Sequence, residues 1–393
     1  MPLSLDNLGW FYRGDTSPQD SPATNKAIST FLSFTAILGI FVVATWTFSL
    51  VRLISSLYIL PGRKVQPPLM RLYSSLTSAE GKVEPRTDIY QLSTFGTPSK
   101  TYAIITGASD GLGREYALQL SALGFHTLLV SRTASKLSSV ASAITSKYPN
   151  CIVKTHAIDF ARASSTDYNN LKSAIDDLSS GGGSDGKEVG ILINNVGLSH
   201  SIPVPFSDTP TQEVEDIITI NNLATLKVTQ LVLPHLIARR KGLILTMGSF
   251  GGMLPTPLLA TYSGSKAFLQ HWSTALASEL APHNITVELV QSYLVTTAMS
   301  KIRRTSALIP GPREFVRSVL SSIGRTGGAQ GFSYTSTSYW SHALMQWGML
   351  RVVGVHSKVA LAYNKVMHEG IRKRALKKQA RESGQQAKGT KGE

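Results

Sequence analysis

The reading of the chain turns on residues 102–122, YAIITGASDGLGREYALQLSA. Tyr102–Thr106 is a short apolar run rich in β-branched residues, the composition of a buried strand. Gly107, Ala108, Ser109, Asp110, Gly111, Leu112 and Gly113 follow. Apolar residues then recur at helical spacing from Tyr116 onward. In this order, glycines allow a tight turn and let a pyrophosphate approach the backbone. The helix N-terminus adds free N–H groups and the positive end of its dipole. A glycine triplet alone is a weak signal; between a strand and a helix it predicts a dinucleotide site. Gly107, Ser109, Asp110, Gly111, Leu112 and Gly113 are its expected contacts.

The pattern repeats outward. Apolar runs at 126–132, 152–160, 190–197, 242–249 and 285–294 alternate with helix-like stretches. Continuous apolar strands separated by helices predict an α/β, Rossmann-type doubly wound parallel sheet over residues 100–330. SSGGGSDGK (179–187) precedes a strand and so reads as a surface insertion, not a phosphate loop. An NAD site places an acidic residue after the second strand. Here Ser131-Arg132 stands there, and Arg132 would meet a 2′-phosphate, favouring NADPH. Asp110 puts a negative charge near that phosphate. Asp159 is read either as an adenine contact or as a strand-end cap.

Tyr262-Ser263-Gly264-Ser265-Lys266 sets a phenol and an ammonium four residues apart, on one helix face. An ammonium beside a phenol is expected to lower its pKa and ease proton donation. Ser249, thirteen residues before Tyr262, ends a strand where its hydroxyl can bind a carbonyl. A Tyr-x-x-x-Lys spacing occurs by chance in many helices. It gains weight from the glycine turn, from Asn194-Asn195-Val196-Gly197 and from Ser249.

This set of motifs, in this order, resembles the short-chain dehydrogenase/reductase family over roughly residues 100–300. The resemblance implies a catalytic tetrad of Asn221, Ser249, Tyr262 and Lys266. It also implies cofactor contacts at Asn194, Asn195, Gly197, Val295 and Thr297, besides Tyr262 and Lys266. The chain departs from the family in having Ser292-Tyr293 where Pro-Gly is usual. NNVGLSHSIPVPF (194–206) and the stretch from Leu243 to Gln270 resemble the membrane-bound 3-oxoacyl-CoA reductases of that family. These reduce long-chain 3-oxoacyl-CoA to 3-hydroxyacyl-CoA in the endoplasmic reticulum. They work beside an elongase, a 3-hydroxyacyl-CoA dehydratase and an enoyl reductase. Ile302-Arg303-Arg304 follows the sixth strand, where the family closes a lid; these arginines would meet coenzyme A phosphates or remain solvated. A hydroxysteroid dehydrogenase with the same tetrad is a rival reading, and a non-catalytic scaffold of the elongation machinery is another.

Beyond the domain, the 393 residues carry a net charge of +15. They are 42% hydrophobic and 16% charged, too apolar for a disordered chain and too polar for a polytopic transporter. One cysteine excludes an intramolecular disulfide. The histidines show no metal spacing. Ala27–Val51 holds no charged residue and exceeds the about 20 apolar residues needed to span a bilayer. It starts too late for a signal peptide, after Asp6, Asp15 and Asp20. Arg52, Arg63, Lys64 and Arg71 outweigh Arg13 and Lys26, placing the bulk of the chain in the cytosol. The chain is thus expected to comprise an N-terminal flank (1–26), a single transmembrane anchor (27–51) and a tether (52–99). The α/β domain (100–330) comes next. A helical segment (331–370) follows, read as packing on the domain or lying at the membrane surface. A basic tail (371–393) suited to acidic head groups ends the chain. No interleaved aromatic and basic motif supports nucleic-acid binding.

Overall fold

The computed structural model describes residues 22–59, 92–179 and 186–389. Most of the expected flank and tether, the centre of the glycine-rich insertion and the last four residues lie outside these. The chain forms two compact units, Met1–Arg52 and Leu53–Glu393. In the first, helix α1 begins at Pro22 and runs on to Ile54. Among the described residues, only Ser29–Ile59 is long and apolar enough to cross a membrane. Phe31, Ile40 and Phe48 are each more than 60% exposed to solvent, as expected of a surface meant for lipid.

The second unit holds a seven-stranded parallel sheet in the order β3-β2-β1-β4-β5-β6-β7. The strands are β1 (Thr101–Thr106), β2 (His126–Ser131), β3 (Val153–Ala157), β4 (Glu188–Asn194), β5 (Gly242–Met247), β6 (Ile285–Val290) and β7 (Thr335–Ser336). Side chains alternate across a strand, and both faces of this sheet are covered. Ala103, Ile105, Leu129, Ile191 and Leu245 pack with Tyr116 and Leu120 of α2 (Gly111–Ala122). Tyr102, Ile104, Leu128, Leu192 and Ile244 face the other way. They pack with α4 (Ser165–Asp176), which follows α3 (Ala134–Lys147). This double burial explains why the strands read as unbroken apolar runs.

α5 (Thr211–Ile218) leads through a π-turn at Thr219–Leu223 into α6 (Ala224–Arg239). After β5 come a single-turn helix, α7 (Phe250–Met253), and then α8 (Ala260–Leu280). α9 (Pro312–Leu320), α10 (Trp340–Gly348) and α11 (Lys358–Gly389) complete the chain. Strand order reverses between β1 and β4. In open α/β sheets such a switch point opens a crevice at the carboxyl ends of the strands.

The packed body extends beyond residue 330, where the sequence placed its end. β7 pairs with β6 there, and a two-residue strand is too short to show a period. The apolar stretch 339–363 is not one helix. Its first part buries His342, Ala343 and Gln346, while Val352, Val353, Val359 and Tyr363 face outward. Residues 371–389 of the basic tail continue α11 as helix.

Glu288 of β6 is buried and ties the sheet edge together. Its carboxylate accepts from Ser336 Oγ on β7 and from the Gly324 N–H. Burial pushes its pKa up to about 7, with Ser336, Gly324 and Arg325 pulling the other way. A carboxyl raised above its unfolded value makes the folded state bind the extra proton. Stability from this group is therefore present below about pH 4.5 and lost as pH rises through about 7. The loss is expected to be about 3 kcal/mol. Glu288→Gln, with its amide turned to Ser336, should flatten this decline when urea unfolding is followed from pH 5 to 8. An unchanged decline would mean that another group causes it.

Candidate active site

The glycine turn is held by direct backbone approach. A Cβ on Gly113 would stand 2.2 Å from the Gly107 carbonyl oxygen, so the third glycine lets α2 close onto the end of β1. Gly107 and Gly111 have φ of +66° and +54°, which favour glycine. Asn195 Nδ2 reaches over from β4 and donates to the Thr106 and Gly107 carbonyls at 2.9 and 3.3 Å. Thr106 Oγ1 in turn accepts the Asn195 and Val196 N–H groups, both at 3.0 Å. The turn is thus a rigid cradle spanning the switch point. The chemistry of its edge fits a pyrophosphate, because the α2 N-terminus presents its backbone N–H groups there.

The other predicted cofactor residues sort by what they touch. Ser109 Oγ lies 2.8 Å from Ser131 Oγ, joining the turn to the end of β2, and Arg132 beside it is exposed. Asp110 is the N-cap of α2, accepting the Gly111 N–H at 2.7 Å. Leu112 packs its side chain on the core, leaving its backbone to the turn. Asp159 caps its own loop through the Ala161 N–H. Asn194 turns away, donating to Thr229 Oγ1 on α6 at 2.9 Å. Val295 is buried in the core, whereas Thr297 lies over the turn, 3.4 Å from where a Gly111 Cβ would stand.

Across the crevice stand the four catalytic candidates. Ser249, just past β5, caps α7 through the Gly251 N–H. Tyr262, in the first turn of α8, lies beside Ser249: its ring and Ser249 Oγ stand 3.4 and 3.5 Å from where a Gly251 Cβ would be. Lys266, one turn on, is buried, with Nζ donating to the Met247 carbonyl at 2.8 Å and 6.0 Å from the Tyr262 ring centre. Asn221 sits in the π-turn and is fully buried. It donates to the Leu198 carbonyl and Ser265 Oγ, both at 2.9 Å, and accepts from Leu198 N–H. Asn222 bonds the Ser265 carbonyl instead, behind the site. A Cβ on Gly197 would come within 3.4 Å of Asn221 Oδ1 and 3.7 Å of Lys266 Nζ, so this glycine keeps the niche open.

Two structural residues escaped the sequence reading. Thr106 pins both sides of the switch point, and Ser265, inside the Tyr-x-x-x-Lys spacing, joins Asn221 to the Tyr262 carbonyl. One electrostatic expectation is corrected. Desolvation pushes the partly buried Tyr262 phenol up, and the neighbouring Ser249 hydroxyl pulls it only partly back. Lys266 does not lower it in the chain alone, because its ammonium is turned onto the Met247 carbonyl. Burial instead depresses Lys266 itself to about 8.

Residues 101–307 match the family described as short chain dehydrogenase, and the chain belongs to that family. Its relatives are more particular. It is 52% identical over 368 residues to a very-long-chain 3-oxoacyl-CoA reductase of Pyrenophora tritici-repentis, covering 93% of this chain and 96% of that one. It is 60% identical over 296 residues to a protein of the same name from Coccidioides immitis, covering 75% and 82%. Among solved structures, a 7beta-hydroxysteroid dehydrogenase superposes with a TM-score of 0.58 at 18% identity, over 70% of this chain and 98% of that one. A short-chain dehydrogenase from Sphingobium yanoikuyae, in complex with NADPH, superposes at 0.50 and 23%, over 65% and 98%. At these identities the two structures bear on the fold.

The depressed Lys266 gives a pH signature. Its ammonium is present below about pH 8 and lost above it. The kcat/KM for carbonyl reduction should fall tenfold per pH unit on the alkaline side, with its midpoint near pH 8. Lys266→Met should lose most activity and that alkaline limb together. A profile flat from pH 7 to 10 in the unsubstituted enzyme would exclude Lys266 as the charged group.

Proposed function

We propose that this chain reduces very-long-chain 3-oxoacyl-CoA to 3-hydroxyacyl-CoA with NADPH, the first reduction of microsomal fatty acid elongation. The observation that carries it is the meeting of Ser249, Tyr262, Lys266 and Asn221 beside the glycine cradle. It occurs in a chain more than half identical to reductases of that name along nearly its whole length. The glycine turn and the α2 N-terminus would hold the cofactor's pyrophosphate, Arg132 and Ser109 its 2′-phosphate, and Thr297 the nicotinamide end. NADPH, when bound, supplies the hydride.

The chain's own residues do the rest. Ser249 and Tyr262 lie side by side against Gly251, and their hydroxyls would together hold the C3 carbonyl oxygen of the substrate. Both donate hydrogen bonds that strengthen as negative charge grows on that oxygen. Tyr262 then delivers its proton there, which offsets the raised pKa of its phenol as the oxygen becomes the stronger base. Lys266, 6.0 Å from the Tyr262 ring centre, would stabilise the phenolate left behind by turning its ammonium from the Met247 carbonyl toward it. Asn221, facing the same niche, fixes the Leu198 backbone and is placed to anchor a water that returns a proton toward Lys266.

The apolar helix α1 would anchor the chain in the endoplasmic reticulum membrane as a single pass, with the catalytic unit toward the cytosol. The outward-facing Val352, Val353, Val359 and Tyr363, flanked by Arg351 and Lys358, suit contact with the bilayer surface. An elongase, a 3-hydroxyacyl-CoA dehydratase and an enoyl reductase would be its partners in the cycle.

Tyr262→Phe should cut reduction of long-chain 3-oxoacyl-CoA by about 10²- to 10⁴-fold. NADPH binding, read by fluorescence quenching, should stay within about twofold. Membranes carrying the unsubstituted chain should consume NADPH with that substrate well above the rate with NADH or a steroid ketone. Faster turnover of the steroid would overturn the assignment.

A further inference from the structure

Helix α11 lies outside the residues that match the family, yet it is bonded to both walls of the crevice. Asn364, buried, donates from Nδ2 to the Pro255 carbonyl at 3.0 Å and to Thr256 Oγ1 at 3.2 Å. Two turns on, Arg372 Nη1 donates to the Pro203 carbonyl at 2.9 Å. Ala360, Asn364, His368 and Arg372 recur at every fourth position, one face of the helix. Pro255 and Thr256 belong to the segment between Ser249 and Tyr262, and Pro203 to the segment after β4. The helix register is therefore fixed against the substrate side of the site.

That register carries Lys378 to a cleft of about 440 Å³, whose other lining residues are Thr297, Ala298, Lys301, Ile302 and Arg303. No carboxylate lines it. Glu382 lies 3.6 Å from Lys378, but both ends of that pair are exposed, so it holds Lys378 weakly. Lys301 Nζ donates to the Ser201 carbonyl at 2.6 Å, drawing the segment after β6 toward the segment after β4. The same segment puts Met299 Cε within 3.8 Å of the position of a Gly197 Cβ, beside Lys266 Nζ. One short stretch thus runs from the reacting niche at Met299 to the cationic cleft at Lys301–Arg303.

We propose that this cleft binds the phosphates of the coenzyme A moiety, with Lys378 of the C-terminal helix completing a cation set with Lys301 and Arg303. The inference rests on the reductase reading. Coenzyme A carries its phosphates at the end remote from the thioester, so a thioester in the niche leaves them outside. Arginine meets a phosphate bidentately and lysine meets it as a point charge. Binding energy gathered at this remote end holds the reacting end in place.

The test uses the full chain in its membrane, with Lys378→Ala, Lys378→Glu and Arg303→Ala. Two substrates carry the same long 3-oxoacyl chain, one on coenzyme A and one on N-acetylcysteamine, which has no phosphate. The ratio of their kcat/KM values should fall about fivefold for each alanine, and further for the charge reversal. KM for NADPH should not move. An unchanged ratio, an equal loss with both thioesters, or a rise in KM for NADPH would overturn the proposal. The last result would assign the cations to the cofactor. Weaker sedimentation with anionic vesicles at an unchanged ratio would assign them to lipid and overturn it too. If the unsubstituted chain reduces neither thioester, the reductase reading itself fails, and the proposal with it.

Discussion

The contact between Gly113 and the Gly107 carbonyl is the constraint on which the rest of the site hangs. With no Cβ between them, α2 seats directly on the end of β1, and its N-terminus points into the switch-point crevice. Asn195 and Thr106 make that contact a joint between β1 and β4, not a local turn. A side chain at 113 would have to displace backbone, which no rotamer change can relieve. The cradle's position therefore fixes where a cofactor lies, and the catalytic groups are useful only relative to that place.

Those groups arrive from three separate elements and are locked by bonds between them. Ser265 joins the π-turn to α8, and the Met247 carbonyl joins β5 to Lys266. The π-turn widens the helix by one residue where Asn221 must reach inward, and such turns recur at functional sites. Burial sets the electrostatics: it makes the phenol of Tyr262 a weaker acid and the ammonium of Lys266 a stronger one. These shifts move the two groups apart in acidity, so the proton stays on Tyr262 until the substrate oxygen becomes the stronger base. Charge also accounts for part of the net +15, since the cations after β6 and on α11 gather at one cleft while Arg132 stands near the glycine turn.

Much of the site could be read along the chain, because its determinants are local. The glycine turn, the apolar runs and the Tyr262–Lys266 spacing each lie within a few residues. Asn221 entered the tetrad through family resemblance, and the structure turns its side chain and that of the adjacent Asn222 to different partners. What escaped the reading is non-local. β7 has two residues and no period of its own. Asp110 reads as a charge beside a phosphate until its carboxylate is seen capping α2. Asn364 and Arg372 look like ordinary residues of a basic helix, since their partners, Pro255 and Pro203, lie more than a hundred residues away.

By itself the sequence determined the parallel α/β class, the dinucleotide turn, the Tyr262–Lys266 spacing on one helix face and the apolar segment near the N-terminus. Each follows from backbone sterics or side-chain period, which act over a turn or a strand. Only the tertiary structure decided that Asn195 clamps the turn, that Lys266 rests on the Met247 carbonyl, and that Lys378 comes to Lys301 and Arg303. Those outcomes depend on which distant surfaces meet when the sheet closes, and no local rule of the chain contains that information.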